Sequence, residues 1–203
     1  MVTPEDDNFI GYAVVDLETT GLSHVDSIVE IGIVQMDKAG NITDQLETLI
    51  RPSSRMGATN IHGITEDMVR HSPTFESMTA QVLAAFDGRI LVAHNANFEA
   101  RFLHKELLTT GVEIDTTNFI DTLKVSRKVL KTVNHQLSTI AKHYSITIDN
   151  PHQAISDAYA TALVLQNMMF IDQFDISLFE AFPLYANDYE DSFLKKELWL
   201  PRV

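Results

Sequence analysis

The N-terminal quarter of the chain alternates between apolar runs and short polar interruptions, a pattern that predicts β-strands. Residues 9–15 form an almost unbroken apolar run, which is typical of a strand buried on both faces. Residues 27–36 and 42–50 give two further strands, and the turn sequence at 38–41 joins them as a hairpin. Three successive strands joined by short turns predict an antiparallel meander.

After residue 51 the apolar positions recur mainly at helical spacing. Thr65 is expected to cap a short helix, and Ser72-Pro73-Thr74 to open a longer one. Short buried strands are predicted at 89–93 and 119–122, and helices up to about Thr109, directly after 122, around 137–144 and from about 153 to 169. Strands followed by alternating strands and helices predict an α/β fold, a mixed sheet flanked by helices.

The size and composition of the chain limit its class. Its 203 residues suit one domain, and 45% hydrophobic with 21% charged residues is typical of a globular protein. The absence of cysteine excludes disulfides and thiolate metal sites. No apolar run approaches membrane-spanning length, and the acidic N-terminus lacks the features of a signal peptide. We therefore expect a soluble cytoplasmic protein without a membrane partner.

The formal charge of −13 argues against a protein that coats nucleic acid through bulk electrostatics. The charge is unevenly distributed, however, because no Asp or Glu lies between residues 122 and 148. That window contains seven basic or titratable side chains, namely Lys124, Arg127, Lys128, Lys131, His135, Lys142 and His143. It is either an ordinary solvated helix surface or a local surface that attracts phosphate.

Two carboxylates follow the first predicted strand and carry its candidate chemistry. Asp16 and Glu18 point the same way because side chains alternate along a strand. Carboxylates that close repel each other unless a cation lies between them, and Mg²⁺ and Mn²⁺ prefer such oxygen ligands. The alternative is a strand end with solvated acidic side chains and a turn at Gly21.

Two later segments add to these carboxylates a set of motifs in a fixed order. The three segments are Asp16-Leu17-Glu18-Thr19-Thr20-Gly21, His94-Asn95-Ala96-Asn97-Phe98-Glu99-Ala100-Arg101-Phe102-Leu103 and His152-Gln153-Ala154-Ile155-Ser156-Asp157-Ala158-Tyr159-Ala160-Thr161. Together they resemble the DEDDh family of 3′→5′ exonucleases, which includes proofreading subunits and domains of bacterial replicative polymerases and ribonuclease T. The resemblance extends over about residues 9–169 and implies a ribonuclease H-like mixed five-stranded sheet flanked by helices.

The resemblance implies two-metal phosphoryl chemistry with two divalent cations, Mg²⁺ or Mn²⁺. Asp16, Glu18 and Asp157 would hold the metal that carries the attacking water, and Asp16 would share the second. His152 would accept the proton of that water, since imidazole changes protonation near neutral pH. Glu99 stands where the family usually has Asp, and its longer side chain would act through the water shell of the second metal.

The same resemblance implies a set of substrate-binding residues. The backbone around Leu17, Thr19 and Thr20 would hold the 3′-terminal nucleoside, and His62 lies in a segment that contacts that nucleotide in the family. A turn histidine is the alternative for His62. His94 and Asn95 are included in this set, with a structural role at the strand-to-helix turn as their alternative.

The sequence therefore predicts a metal-dependent 3′→5′ exonuclease that releases nucleoside 5′-monophosphates from single-stranded DNA. The alternatives are an exoribonuclease that trims RNA 3′ ends, and a catalytically weakened binding or scaffold module. Residues 1–170 are predicted to form the exonuclease domain. Residues 171–203, with seven acidic and three basic side chains among many Phe, Leu and Tyr, would form a tail, helical and packed on the domain or docking a DNA polymerase or clamp.

Overall fold

A mixed five-stranded sheet forms the centre of the protein in the computed structural model, which describes residues 6–112 and 119–170. The strand order is β3-β2-β1-β4-β5. β1 pairs antiparallel with β2 and β2 antiparallel with β3, whereas β4 is parallel to both β1 and β5. The strands are β1 (Gly11–Thr19), β2 (Ile28–Asp37), β3 (Ile42–Leu49), β4 (Arg89–Ala93) and β5 (Phe119–Asp121). The predicted meander and mixed sheet are confirmed.

Seven helices are present in the described residues, and the longer ones begin and end close to their predicted limits. Thr74 caps one of them, because its side chain accepts a hydrogen bond from Ser77 N–H, whereas Thr65 precedes its short helix without a side-chain cap. The helices are α1 (Thr59–His62), α2 (Glu66–Val69), α3 (Phe75–Phe86), α4 (Asn97–Thr109), α5 (Thr122–Val129), α6 (Leu137–His143) and α7 (Ala154–Phe170).

The sheet separates two hydrophobic cores. Ala13, Val15 and Leu17 of β1 pack with α3 and α4 on one face. Tyr12 and Val14 point to the other face, where they pack with α5, α6 and α7. This alternation along β1 puts Asp16 and Glu18 on the α7 face of the sheet.

The strand that carries the two carboxylates is longer than its apolar run. Pairing of β1 with β2 continues through Asp16 and Glu18 to Thr19, with a register shift between Glu18 and Thr19. The carboxylates are therefore held within the sheet ladder and not in the turn after it. In the edge strand beyond β4, β5 stops at Asp121 because α5 begins at Thr122.

The sequence also leads us to expect no membrane-spanning segment and a C-terminal tail. Among the helices of the described residues, none combines the length and the apolar character needed to cross a membrane. The predicted tail at 171–203 lies outside the described residues.

Candidate active site

Cross-strand pairing fixes what lies beside the two carboxylates of β1. In the antiparallel register, Asp16 lies opposite Gly32 and Glu18 opposite Glu30. Directly opposed residues project their side chains to the same face, so Glu30 shares the α7 face with both carboxylates. Gly32 presents no side chain there. The result is an acidic strip on β1 and β2 with a gap at Gly32.

The start of α7 fills that gap. A Cβ atom added at Gly32 would lie 2.4 Å from the carbonyl carbon of Ala154 and 2.4 Å from the nitrogen of Ile155. A glycine inside a strand commonly marks such a close approach of another backbone. The Ala154 N–H donates a hydrogen bond of 2.9 Å to Oε2 of Glu30, and Gln153 Nε2 donates one of 2.7 Å to Oε1 of Glu47. The first turn of α7 is thus attached to β2 and β3.

Burial and neighbouring charges shift the pKa of Glu30, which accepts the hydrogen bond from α7. Glu30 is 5% exposed. Burial raises the pKa of Glu30, the Ala154 hydrogen bond lowers it, and the charges of Glu47 and Asp157 raise it further. A carboxylate at a helix N-terminus is also favoured by the helix dipole.

The loop before α7 brings His152 to Asp157. His152 has a φ of 66°, and its backbone N–H donates a hydrogen bond of 3.1 Å to Oδ2 of Asp157. Burial raises the pKa of Asp157, and the hydrogen bond and charge of His152 lower it in part. Ligand atoms of Glu18, His152 and Asp157 all lie within 4.8 Å of one another. The structure therefore brings together three of the five predicted catalytic residues.

The three-residue group fits a divalent cation by its chemistry. The carboxylates of Glu18 and Asp157 offer the oxygen ligands that Mg²⁺ and Mn²⁺ prefer, and the His152 imidazole lies within 4.8 Å of both, where it could take a proton from a water on such a cation. Asp16, two residues before Glu18 on the same face, is outside this group. Glu99, which is 4% exposed, lies in the first turn of α4, a helix that packs on the opposite face of the sheet, and is also outside the group.

The end of β1 at Thr19 leads into a tightly bonded turn, residues 20–27, beside the carboxylates. The Thr20 hydroxyl accepts from Ser27 N–H at 3.0 Å and lies 3.1 Å from Oδ1 of Asp26 and 2.8 Å from Oγ of Ser54. The Thr19 hydroxyl donates to the carbonyl of Gly21 at 2.7 Å. Both hydroxyls therefore serve the turn itself, and the Leu17 side chain belongs to the core.

His62 lies at the site. Its Nδ1 accepts a hydrogen bond of 3.0 Å from Ile64 N–H. Burial lowers the pKa of His62, the backbone of Gly57 and Thr19 raises it, and the charge of His152 lowers it. His62 is therefore near both Thr19 and His152, although about ninety residues separate the two histidines in the sequence.

His94 and Asn95 have structural contacts at the end of β4. His94 Nε2 donates to the carbonyl of His135 at 3.0 Å, so Nδ1 of the neutral ring accepts from the Thr122 hydroxyl at 2.9 Å. Burial lowers the pKa of His94 to about 4. Asn95, with a φ of 74°, donates its backbone N–H to Oδ1 of Asp121 at 3.0 Å. These contacts favour the structural alternative over substrate binding.

Glu30 and Gly32 are site residues that the sequence analysis missed. Both carried a signal, because a charged residue and a glycine are uncommon inside an apolar strand. Neither can be connected to α7 without knowing the register of β1 against β2.

Comparison with known proteins identifies the class. The family model described as exonuclease matches residues 13–165. The DNA polymerase III PolC-type of Caldanaerobacter subterraneus subsp. tengcongensis is 36% identical over 162 residues, which cover 78% of this chain and 11% of the polymerase. That of Listeria innocua is 39% identical over 155 residues, which cover 74% of this chain and 11% of the polymerase. The chain thus spans about a tenth of the length of these relatives.

Solved structures agree with this class. Exonuclease X in complex with 5′ overhanging duplex DNA aligns with a TM-score of 0.66 at 27% identity over 81% of this chain and 94% of that one. The nuclease domain of 3′hExo, a DEDDh family member bound to rAMP, has a TM-score of 0.66 and covers 78% of this chain and 90% of that one; its 18% identity shows the shared fold alone. The fold is that of a ribonuclease H-like exonuclease. The chain belongs to the exonuclease family.

Proposed function

We propose that this chain is a metal-dependent 3′→5′ exonuclease that removes nucleoside 5′-monophosphates from single-stranded DNA. The observation that carries the proposal is the convergence of Glu18, His152 and Asp157 within 4.8 Å. These residues come from the first strand and from the start of the last described helix. Hydrolysis of a phosphodiester needs its catalytic groups at one place, and the three side chains meet this requirement although they are far apart in the sequence.

Each residue has a distinct task in this proposal. Asp16, Glu18 and Asp157 would hold two divalent cations, Mg²⁺ or Mn²⁺, and Glu99 would contribute through water. The bound cations supply positive charge that acidifies water and offsets the charge of the reacting phosphate. His152 accepts the proton of the attacking water, and its position in an exposed loop lets the imidazole reach solvent afterwards.

The terminal nucleotide binds where the backbone of residues 17–20 meets His62. The internal bonds of Thr19 and Thr20 stiffen this turn, so its backbone groups are held in one geometry before the strand arrives. His62, whose imidazole interacts with the Thr19 backbone, would contact the last nucleotide. This arrangement favours recognition of a strand end over recognition of a base sequence.

DNA is favoured over RNA as the substrate by the similarity to replicative polymerases at 36% and 39% identity. The same similarity supports a role in replication proofreading or repair, next to a DNA polymerase or its clamp. RNA 3′-end trimming uses the same chemistry and is the second outcome of the test below. The substitution of Glu99 for the family Asp supports the third candidate, a weakened nuclease that serves as a binding module.

The test uses 5′-labelled single-stranded DNA and RNA of the same sequence with Mg²⁺, Mn²⁺ or chelator. We expect a metal-dependent ladder that shortens from the 3′ end of DNA and is lost in His152→Ala. His71→Ala, which removes an exposed imidazole outside the three-residue group, is the matched control and should keep the activity.

Two further outcomes redirect the proposal. A better ladder on RNA assigns the chain to RNA trimming. No ladder on either strand, combined with a melting temperature that rises with Mn²⁺, refutes the exonuclease function and supports a binding module.

A further inference from the structure

The acid-free window of the sequence occupies a defined position in the fold. It begins at the carboxyl end of β5, where Asp121 is followed by Thr122 and α5. Because β1, β4 and β5 are parallel, their carboxyl ends lie at the same end of the sheet, which also carries Glu18. We call this end of the sheet the catalytic edge. The window ends just before the loop that carries His152. Both of its ends are therefore at the catalytic edge.

Within the window, α5 has one buried and one basic side. Thr122, Val125 and Ser126 face the core with no exposed surface. Lys124, Arg127 and Lys128 are spaced by three and four residues and share the opposite side of the helix, and exposed Lys131 follows two residues after its end. At 1.5 Å per residue, Lys124 to Lys128 covers about 6 Å along the helix axis. We name Lys124, Arg127, Lys128 and Lys131 the basic stripe.

Side-chain contacts connect the basic stripe to the catalytic edge. The Thr122 hydroxyl and the carbonyl of His135 bond the ring of His94, which directly follows β4. His135 Nδ1 in turn lies 3.0 Å from Oγ of Ser126 on α5. Arg127 is close enough to His94 to oppose its protonation. The segment after α5 therefore folds back onto α5 near the carboxyl end of β4.

We propose that the basic stripe binds the backbone phosphates of the single strand upstream of the nucleotide held at the active site. The inference rests on the proposed exonuclease function and adds the path of the strand. In a protein of charge −13, a strand that leaves the site is repelled by most of the surface. The stripe offers the phosphates a positively charged route that starts at the catalytic edge.

The test compares substrates that reach the stripe with one that does not. Lys128→Gln combined with Lys131→Gln removes two exposed charges. The control, Lys38→Gln combined with Arg89→Gln, removes two charges at the opposite edge of the sheet, where Asp37 and Arg89 both pair with Gly11. KM and kcat are measured on a dinucleotide and on strands of increasing length, and binding of a labelled strand is measured by anisotropy in chelator.

For the wild-type protein we expect KM to fall as the strand lengthens by the first few nucleotides and then to level off. In the stripe variant KM for long strands should rise by about fivefold, with kcat and dinucleotide hydrolysis unchanged. The slope of log affinity against log salt should become shallower by about 1.4, the value for two lost single-strand contacts. The control variant should match the wild type in each measurement.

Two results separate failure of this inference from failure of the proposed function. Long-strand KM and salt slope that are unchanged in the stripe variant, with wild-type hydrolysis intact, overturn the phosphate path. A wild-type protein that hydrolyses neither the dinucleotide nor the long strand refutes the exonuclease function. In that case the anisotropy arm still decides whether the stripe binds a strand.

Discussion

Gly32 is the position at which a single methyl group should disable the site without touching a catalytic side chain. A Cβ atom there would lie 2.4 Å from two backbone atoms of α7 and 2.6 Å from a third, the carbonyl oxygen of Ala154. Carbon atoms in a packed interior are separated by roughly 3.5 Å or more. Backbone cannot rotate away as a side chain does, so Gly32→Ala must move the start of α7 outward by about 1 Å.

That shift has two separable costs. Overpacking of a well-packed interior costs about 1–3 kcal/mol of unfolding free energy. The displaced turn carries the Ala154 N–H away from Glu30, and it also carries His152 and Asp157 away from Glu18. A misplacement of about 1 Å can reduce a reaction rate by roughly 100-fold. We therefore expect kcat to fall by about two orders of magnitude in a protein that still folds.

The assay measures kcat on a labelled strand together with chemical unfolding, at a temperature at which both variants are folded. Gly111→Ala is the matched control, since Gly111 has a φ of 76° and an added Cβ meets nothing within 4 Å. That change costs about 1 kcal/mol of backbone strain at the end of α4 and should leave kcat unchanged. A folded Gly32→Ala protein whose kcat stays within twofold of the wild type would refute the argument that β2 positions α7.

Three further predictions concern buried groups. Glu30→Leu should leave the Ala154 N–H without its acceptor and lower the free energy of unfolding by about 1–3 kcal/mol, measured by chemical unfolding. Glu30→Gln keeps an acceptor oxygen and should lose much less. Equal losses in the two variants would contradict a stabilising role for this hydrogen bond. Burial lowers the pKa of His94 to about 4 from its ordinary 6.5, so the stability it contributes above pH 6.5 should be lost as the pH falls to 4, by about 3 kcal/mol. His94→Gln should remove this loss, so the unfolding free energy of the variant should depend less on pH. The two profiles should be compared by subtraction, because buried Asp121, whose pKa is raised, has the opposite pH dependence in both proteins and cancels. Glu99→Asp should keep or raise nuclease activity, and a large loss in a ladder assay would mean that the longer carboxylate is required.

Much of the fold follows from local pattern. The apolar runs define β1, β2 and β4, and helical spacing defines α3, α4 and α7, because burial of one face or both faces leaves a period in the sequence. Where the end of a strand differs from the sequence-based prediction, the cause is a contact with another part of the chain. β1 extends past its apolar run to Thr19 because β2 continues to pair with it, and a cross-strand partner is invisible to a local pattern.

The candidate site is divided in the same way. Spacing alone relates Asp16 to Glu18, and His152 to Asp157, because each pair lies within one element or one turn. What joins the two pairs is the opposition of Asp16 to Gly32 and Glu18 to Glu30, which depends on the register of two strands. For the same reason the sequence analysis missed Glu30. His94, grouped with the substrate residues by motif, instead bonds His135 and Thr122, and its contacts are long-range.

The assembly of the site from β1 and α7 also has a consequence for biosynthesis. Glu18 belongs to the first described strand, whereas His152 and Asp157 belong to the loop before the last described helix and to its first turn, and loop closure over such a distance is a late event in folding. A nascent chain that stops at α6 contains β1 but neither of the two α7-side residues. Under the proposed function, a nascent chain that stops before α7 therefore cannot hydrolyse nucleic acid.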